Sequence, residues 1–151
     1  MDKSSSQNEL RGQCEKLADI FAVLQRCFLL KLSKELARGN ISFPQYFLLG
    51  FLSQSESLTM TEIAKKMSHT TAAATGMVDR LENLGYVLRA RSNEDRRKII
   101  VKITPAGIDL VSRIRADMVD NLMVMMKSLE PDEQQMWLQI YSKILNYCVK
   151  K

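Results

Sequence analysis

Apolar residues recur every three or four positions along the first quarter of the chain. This period runs from Leu10 to Leu36 and continues for about seven turns, so it predicts one long amphipathic helix that ends near Gly39. The almost wholly apolar segment 43–52 predicts a second helix that is buried.

A short helix and a longer helix follow, separated by a tight break. Segments 60–67 and 70–84 have helical spacing, and Thr59 with Glu62 forms a capping box ahead of the first. The break falls at Ser68-His69. The longer helix has an inner apolar stripe, and its opposite face carries small and polar residues: Thr71, Ala72, Thr75, Gly76, Asp79 and Asn83.

The period changes from helical to strand-like after Gly85. Segments 86–91 and 99–103 predict two strands joined by a polar tip at 92–98, and two helices follow, beginning at Pro105 and Pro131. The sequence therefore predicts a mainly α-helical fold with one small β-hairpin. One face of the helix after the hairpin is apolar: Ile108, Val111, Met118, Leu122, Met125 and Leu129.

Composition is that of an ordinary globular protein, with 151 residues, 46% of them apolar and 26% charged. No apolar run approaches the roughly 20 residues of a membrane helix, and segment 1–10 is too polar for a signal peptide. We therefore expect a cytoplasmic protein with no membrane association.

Cysteine and histidine usage argues against a disulfide framework, a metal site and most enzymes. Cys14, Cys27 and Cys148 are isolated, and His69 is the single histidine. We expect Cys27 and Cys148 to be small core residues. No nucleophile–base pair, phosphate loop or metal cluster is evident, so the sequence predicts no catalytic residue, metal or cofactor.

The positive charge is concentrated in the middle of the chain. Segment 61–103 holds nine Lys or Arg residues and five Asp or Glu residues, so it carries +4 of the total net charge of +5. Such a patch favours a polyanion, because neutralising phosphates releases counterions. A solvated basic face is the alternative.

Together these elements have the spacing of a helix-turn-helix unit followed by a wing. In such a unit the second helix, the recognition helix, enters the major groove of DNA and the first helix braces it. The hairpin tip carries Arg96, Arg97 and Lys98 and has the length and charge to reach an adjacent minor groove.

At these residues the sequence resembles the MarR family of winged helix-turn-helix transcriptional regulators. The resemblance is carried by residues 75–87, TGMVDRLENLGYV, and by residues 93–107, NEDRRKIIVKITPAG. It implies a homodimer that binds near-palindromic double-stranded DNA, usually as a repressor released by a ligand or by oxidation. It also implies an N-terminal dimerisation helix at 1–40, a DNA-binding lobe at 41–107 and C-terminal dimerisation helices at 108–151.

The resemblance also assigns roles to individual positions. Arg97 matches the wing arginine that enters the minor groove, and Asp95 matches the acid that holds the wing. Gly76 stands where many relatives carry a basic residue. The residues predicted to contact DNA are Ser68, Thr70, Thr71, Ala72, Thr75, Gly76 and Arg80 on the recognition helix, with Arg96, Arg97 and Lys98 on the wing.

Several alternatives remain open. Cys14 lies in the region where some family members sense peroxides, so the protein could be a thiol-based redox repressor. Against this stands the simpler interpretation that Cys14 is an ordinary buried residue. A winged-helix module that binds proteins is another. The resemblance further implies a small-molecule effector, aromatic or otherwise apolar, but no residue identifies it.

Overall fold

The first helix, α1, spans Lys3–Arg38 of the computed structural model, which describes residues 3–149. The outermost residues of the predicted first and last segments, 1–2 and 150–151, lie outside that range. Helix α1 begins before the predicted start at Leu10, because polar residues can extend a helix without adding to its apolar period.

The chain then builds a small lobe of three helices. These are α2 at Phe43–Ser53, α3 at Met60–Met67 and α4 at Thr71–Asn83, within one or two residues of the predicted limits. Helix α3 begins at the predicted capping box: the Thr59 backbone N–H donates to Glu62 Oε2 at 2.7 Å. Hydrogen bonds from the backbone and from the hydroxyl of Thr59 lower the pKa of the Glu62 carboxyl.

Three antiparallel strands complete the lobe, in the order β1-β3-β2. Strands β2 at Val87–Arg91 and β3 at Ile99–Ile103 form the predicted hairpin, with Val87 opposite Ile103 and Arg91 opposite Ile99. Strand β1, Leu58–Thr59, pairs with the outer edge of β3. The sequence did not predict β1, because two residues are too few to show an alternating pattern.

The core lies where the helices of the lobe meet the sheet. Its fully buried side chains come from α2, α3, α4, the sheet and the start of α5: Leu48, Leu49, Leu52, Ile63, Val78, Leu81, Val87, Val101 and Ile114. On α4 the buried residues Ala74, Val78 and Leu81 belong to the predicted inner stripe. This packing leaves the opposite face of α4 free.

Helix α5 spans Pro105–Met126, and the apolar face predicted for its beginning is partly wrong. Leu110 and Ile114 are buried there, whereas Ile108 is 46% exposed. Gly107 is also buried, so the inward face at the start of this helix is displaced by one residue from the predicted face that begins with Ile108 and Val111.

Helix α6 spans Pro131–Val149 and has no buried residue among those described. The chain divides into two compact units after Ile114. In the second unit, Leu122, Met126, Trp137, Leu138 and Tyr141 line an apolar groove of about 340 Å³.

The three cysteines are exposed in the single chain, so the prediction that Cys27 and Cys148 are core residues is wrong for it. The burial weighed for Cys14 is likewise not found. Large apolar side chains on the same helices, such as Phe21 and Ile144, are also more than half exposed. The apolar period therefore identified a face without identifying what covers it.

Candidate nucleic-acid interface

The break between α3 and α4 sets the orientation of α4, the predicted recognition helix. Ser68 ends α3 in the left-handed conformation, with φ 53° and ψ 40°, the conformation for which many turns use glycine. Thr70 then caps α4, since its hydroxyl oxygen accepts a hydrogen bond from the Ala73 backbone N–H at 3.2 Å. Thr70 thus plays the capping role through one lone pair of its hydroxyl oxygen, and this bond does not use the O–H donor.

The face of α4 predicted to meet DNA is open. Thr71, Ala72 and Gly76 are exposed, and Thr75 is half-buried. The Thr75 hydroxyl donates to the Thr71 backbone carbonyl at 2.8 Å, which leaves its methyl group and oxygen lone pairs as the groups available to a ligand. Apart from its own helix backbone, no atom lies within 4 Å of a Cβ built on Gly76, so at this position the face has no side chain and is open to solvent.

Arg80 lies on a flank of α4 and is hydrogen-bonded to the segment between α1 and α2. Its Nη2 donates to the Asn40 side-chain oxygen at 3.0 Å and to the Asn40 backbone carbonyl at 3.2 Å. Sequence reasoning placed Arg80 among residues that contact DNA and did not foresee this bond, because its partner lies 40 positions away.

A second arginine, Arg89 on β2, holds the other flank of α4. Its guanidinium donates to Asp79 at 2.5 Å and also pairs with Glu82, whose carboxylate accepts the Arg89 backbone N–H at 3.0 Å. Partial burial lowers the pKa of Arg89, but the hydrogen bonds to Asp79 and Glu82 outweigh it and raise the pKa overall. In the sequence, this ion-pair cluster was indicated only by Asp79 and Glu82, two acids three positions apart on α4, and by the basic strand that follows them.

The wing is formed by β2, β3 and the tip 92–98, and the tip presents its cations to solvent. The tip closes with hydrogen bonds between Ser92 N–H and the Lys98 carbonyl at 2.9 Å and between Lys98 N–H and the Asp95 carbonyl at 2.8 Å. The Asp95 carboxylate accepts the Arg97 backbone N–H at 3.1 Å, so Asp95 orders the turn that carries Arg97. Arg96, Arg97 and Lys98 are all exposed.

The predicted DNA-contacting residues therefore lie on two neighbouring elements of one lobe. Ser68, His69 and Thr70 are exposed at the start of α4, and the cationic tip ends the adjoining hairpin.

Within residues 3–149, no group of three or more His, Cys, Asp or Glu side chains could hold a metal ion. No helix in that range is long and apolar enough to cross a membrane.

Comparison with other proteins identifies relatives of this chain. A model of the MarR family matches residues 41–99. The HTH-type transcriptional regulator PrsX of Escherichia coli is 31% identical over 116 residues, which are 76% of this chain and 70% of PrsX. The organic hydroperoxide resistance transcriptional regulator of Bacillus subtilis is 28% identical over 127 residues, 78% of this chain and 86% of that protein. The HTH-type transcriptional regulator YfiV of B. subtilis is 40% identical over 65 residues, 43% of this chain and 41% of YfiV.

Solved structures share the fold. A MarR family protein from Bacillus stearothermophilus superposes with a TM-score of 0.82 at 19% identity, covering 92% of this chain and 97% of that one. Staphylococcus aureus MepR in a DNA complex gives 0.73 at 22% identity, covering 87% and 98%. MepR bound to ethidium bromide gives 0.67 at 22% identity, covering 87% and 95%. The MarR family model matches residues 41–99, the predicted lobe and hairpin are present, and PrsX matches over more than two thirds of both chains. The chain therefore belongs to the MarR family.

Proposed function

We propose that this protein is a sequence-specific transcriptional regulator that binds near-palindromic DNA as a homodimer, is located in the cytoplasm and acts as a repressor released by a ligand. The observation that carries the proposal is the combination of an open face on α4 with three exposed cations on the adjoining wing tip. Relatives named as transcriptional regulators and the MepR–DNA complex support it.

Recognition combines modest base readout with groove shape. Thr71, Ala72 and Thr75 offer methyl groups and hydroxyl oxygens, which suit contacts with thymine methyls and lack the bidentate donors that read guanine. Arg97 reaches the minor groove from the wing, where narrow A·T-rich segments have enhanced negative potential. The operator is therefore A·T-rich beside each major-groove half-site, and the half-sites lie about one helical turn, or a near multiple of it, apart.

Dimerisation is supported by the large apolar side chains that the single chain leaves exposed. On α1 these include Leu17, Phe21 and Leu30, each more than half exposed; on α6 they include Met136, Leu138 and Leu145, each more than 60% exposed. Exposed apolar surface of this extent is typical of a protein–protein interface. The homodimer places two recognition helices on the same duplex.

Release by a ligand requires a change in the separation of the two lobes. A ligand that binds one separation more tightly shifts the dimer toward it, and a mismatch with the half-site spacing lowers DNA affinity. The MepR structure with ethidium bromide supports an aromatic or otherwise apolar effector. No cofactor takes part in this scheme.

Selection of bound duplexes from a random DNA library tests the proposal, with Arg97→Ala in parallel. The wild type should recover a near-palindromic, A·T-rich site, and Arg97→Ala should weaken binding to it by about 1–3 kcal/mol. Arg11→Ala is the charge-matched control, because Arg11 pairs with Glu15 one turn away on exposed α1 and should leave affinity unchanged.

Other outcomes distinguish the alternatives. Binding that depends on salt but on no sequence would leave a basic surface and refute sequence-specific regulation. A folded dimer that recovers no DNA would favour the protein-binding winged-helix module. Equal affinity of Arg97→Ala and the wild type would remove the wing contact from the proposal.

A redox-switched repressor is the second candidate, favoured by the exposed Cys14 thiol and by the relative named for organic hydroperoxide resistance. A thiol sensor needs solvent access and a thiol that ionises readily to the thiolate, and exposure supplies the first of these. If Cys14 is the sensor, peroxide abolishes DNA binding by the wild type and not by Cys14→Ser. Cys27→Ser is the matched control, since Cys27 is exposed on the same helix.

A further inference from the structure

We propose that Arg80 is a positioning residue, which fastens the recognition helix to the corner between α1 and α2 rather than contacting a DNA phosphate. The corner comprises residues 39–42. One guanidinium nitrogen of Arg80 bonds both the side-chain oxygen and the backbone carbonyl of Asn40, at 3.0 and 3.2 Å. The inference rests on the proposed function and names what keeps α4 in its DNA-binding orientation.

The corner is a fixed point for this bond. Asn40 adopts the left-handed conformation, with a φ of 55°, and both its backbone carbonyl and its side-chain oxygen accept hydrogen bonds from Arg80. The Gly39 carbonyl accepts the Tyr86 hydroxyl at 3.1 Å. Gly39 itself packs so closely on Leu110 that an added Cβ would lie 2.9 Å from Leu110 Cδ1. The corner is therefore anchored both to the residue before β2 and to α5.

Arg80 and Arg89 hold α4 from different sides. Successive residues lie about 100° apart around a helix, so Arg80 and Glu82, about 200° apart, face different flanks. Glu82 is bonded to Arg89 of β2, which also reaches Asp79 on the face opposite the inner stripe, whereas Arg80 is bonded to the corner. The inner stripe is buried, and the exposed residues Thr71, Ala72 and Gly76 take part in neither attachment.

On the Arg80 side of α4 there is an open cleft of about 380 Å³, whose other walls are Ala37, Asn40, Ile41, Ser42 and Gln45. Without the hydrogen bonds, α4 could tilt toward that cleft. Because contacts with base edges require donor–acceptor distances near 3 Å, a small tilt weakens recognition.

A double-mutant cycle measured by DNA binding tests the inference. Asn40→Gly keeps the positive φ and the backbone carbonyl but removes the side-chain acceptor. Arg80→Ala and Asn40→Gly should each weaken binding to the selected operator by about 3- to 10-fold, the effect of one lost hydrogen bond. The double variant should bind no more weakly than Arg80→Ala, and the dependence of affinity on salt should keep its slope in all three.

A phosphate contact would give a different result. Loss of one such contact lowers the salt slope by about one, and Asn40→Gly would then bind like the wild type; that pair of results overturns the inference. Arg38→Ala is the charge-matched control, because Arg38 lies in the last turn of α1 beside the corner and pairs with Glu35. It should leave both affinity and slope unchanged.

Urea unfolding of the wild type, the two single variants Arg80→Ala and Asn40→Gly, and their double variant keeps the inference separate from the proposed function. A wild type that selects no operator would refute the proposed function, yet coupling between positions 40 and 80 would still appear as non-additive losses of stability. Additive losses in urea, with no operator selected, would overturn the Arg80 inference as well.

Discussion

Gly107 lies in the first turn of α5, against the residue that precedes β2, and its replacement by alanine tests how tightly that junction is packed. A Cβ built on Gly107 would lie 2.3 Å from the Tyr86 carbonyl oxygen and 2.7 Å from Ile103 Cγ1. The Tyr86 carbonyl accepts the Thr104 backbone N–H at 3.0 Å and is therefore held in place. The methyl group has to displace backbone that joins the sheet to α5.

Two effects of opposite sign decide the result. Alanine favours a helix over glycine by up to about 1 kcal/mol. Overpacking a well-packed site costs about 1–3 kcal/mol or more, and a contact of 2.3 Å with a backbone atom falls at the upper end. We therefore expect Gly107→Ala to lower the free energy of unfolding by about 2 kcal/mol or more. Each kcal/mol corresponds to about 2–4 °C in Tm for a chain of this size.

Gly76→Ala is the matched control, because it makes the same change on a helix where no atom lies within 4 Å of the added Cβ. It should raise the free energy of unfolding by about 0.5–1 kcal/mol. Urea and thermal unfolding by circular dichroism should be run at one protein concentration, since association shifts apparent stability. A Gly107→Ala variant as stable as the wild type, or a shift of the same sign in both variants, would refute the packing deduced here.

Two further predictions concern polar contacts of the lobe. Arg89→Met keeps most of the apolar stem but leaves Asp79 and Glu82 without their partner; because these carboxylates are partly hydrated, we expect a loss of about 0.5–2 kcal/mol in urea unfolding, and no loss would contradict the clamp. The hydrogen bonds from Thr59 lower the pKa of Glu62, so Glu62 adds stability above its unfolded pKa that disappears as pH falls through the lower folded pKa. Wild type should thus exceed Glu62→Gln in stability at pH 7, with a gap that closes below about pH 4.5; a gap independent of pH would contradict this.

Periodicity predicted the helices, the hairpin and the face of α4, because each repeats a local pattern over many residues. The limits of α3 followed from Thr59 and Glu62, whose capping chemistry is also local. Strand β1 was missed because its two residues pair with β3, more than 40 positions away. The inward face of α5 was partly misassigned because Gly107 gives no hydrophobic signal, although its lack of a side chain allows the closest approach.

At the candidate site too, features set by local sequence were predictable and features set by contacts between distant residues were not. The exposed face of α4 was predictable, since it is the complement of a buried stripe on one helix. The residues that orient that face were not, because Arg80 and Arg89 bond to partners fixed only by the tertiary fold. Helix α4 is thus held by apolar packing on its inner side and by one arginine on each flank, and none of these attachments uses the exposed Thr71, Ala72 or Gly76. Because the residues that hold α4 differ from those proposed to recognise DNA, the open face of α4 can change its sequence without loss of the lobe that presents it.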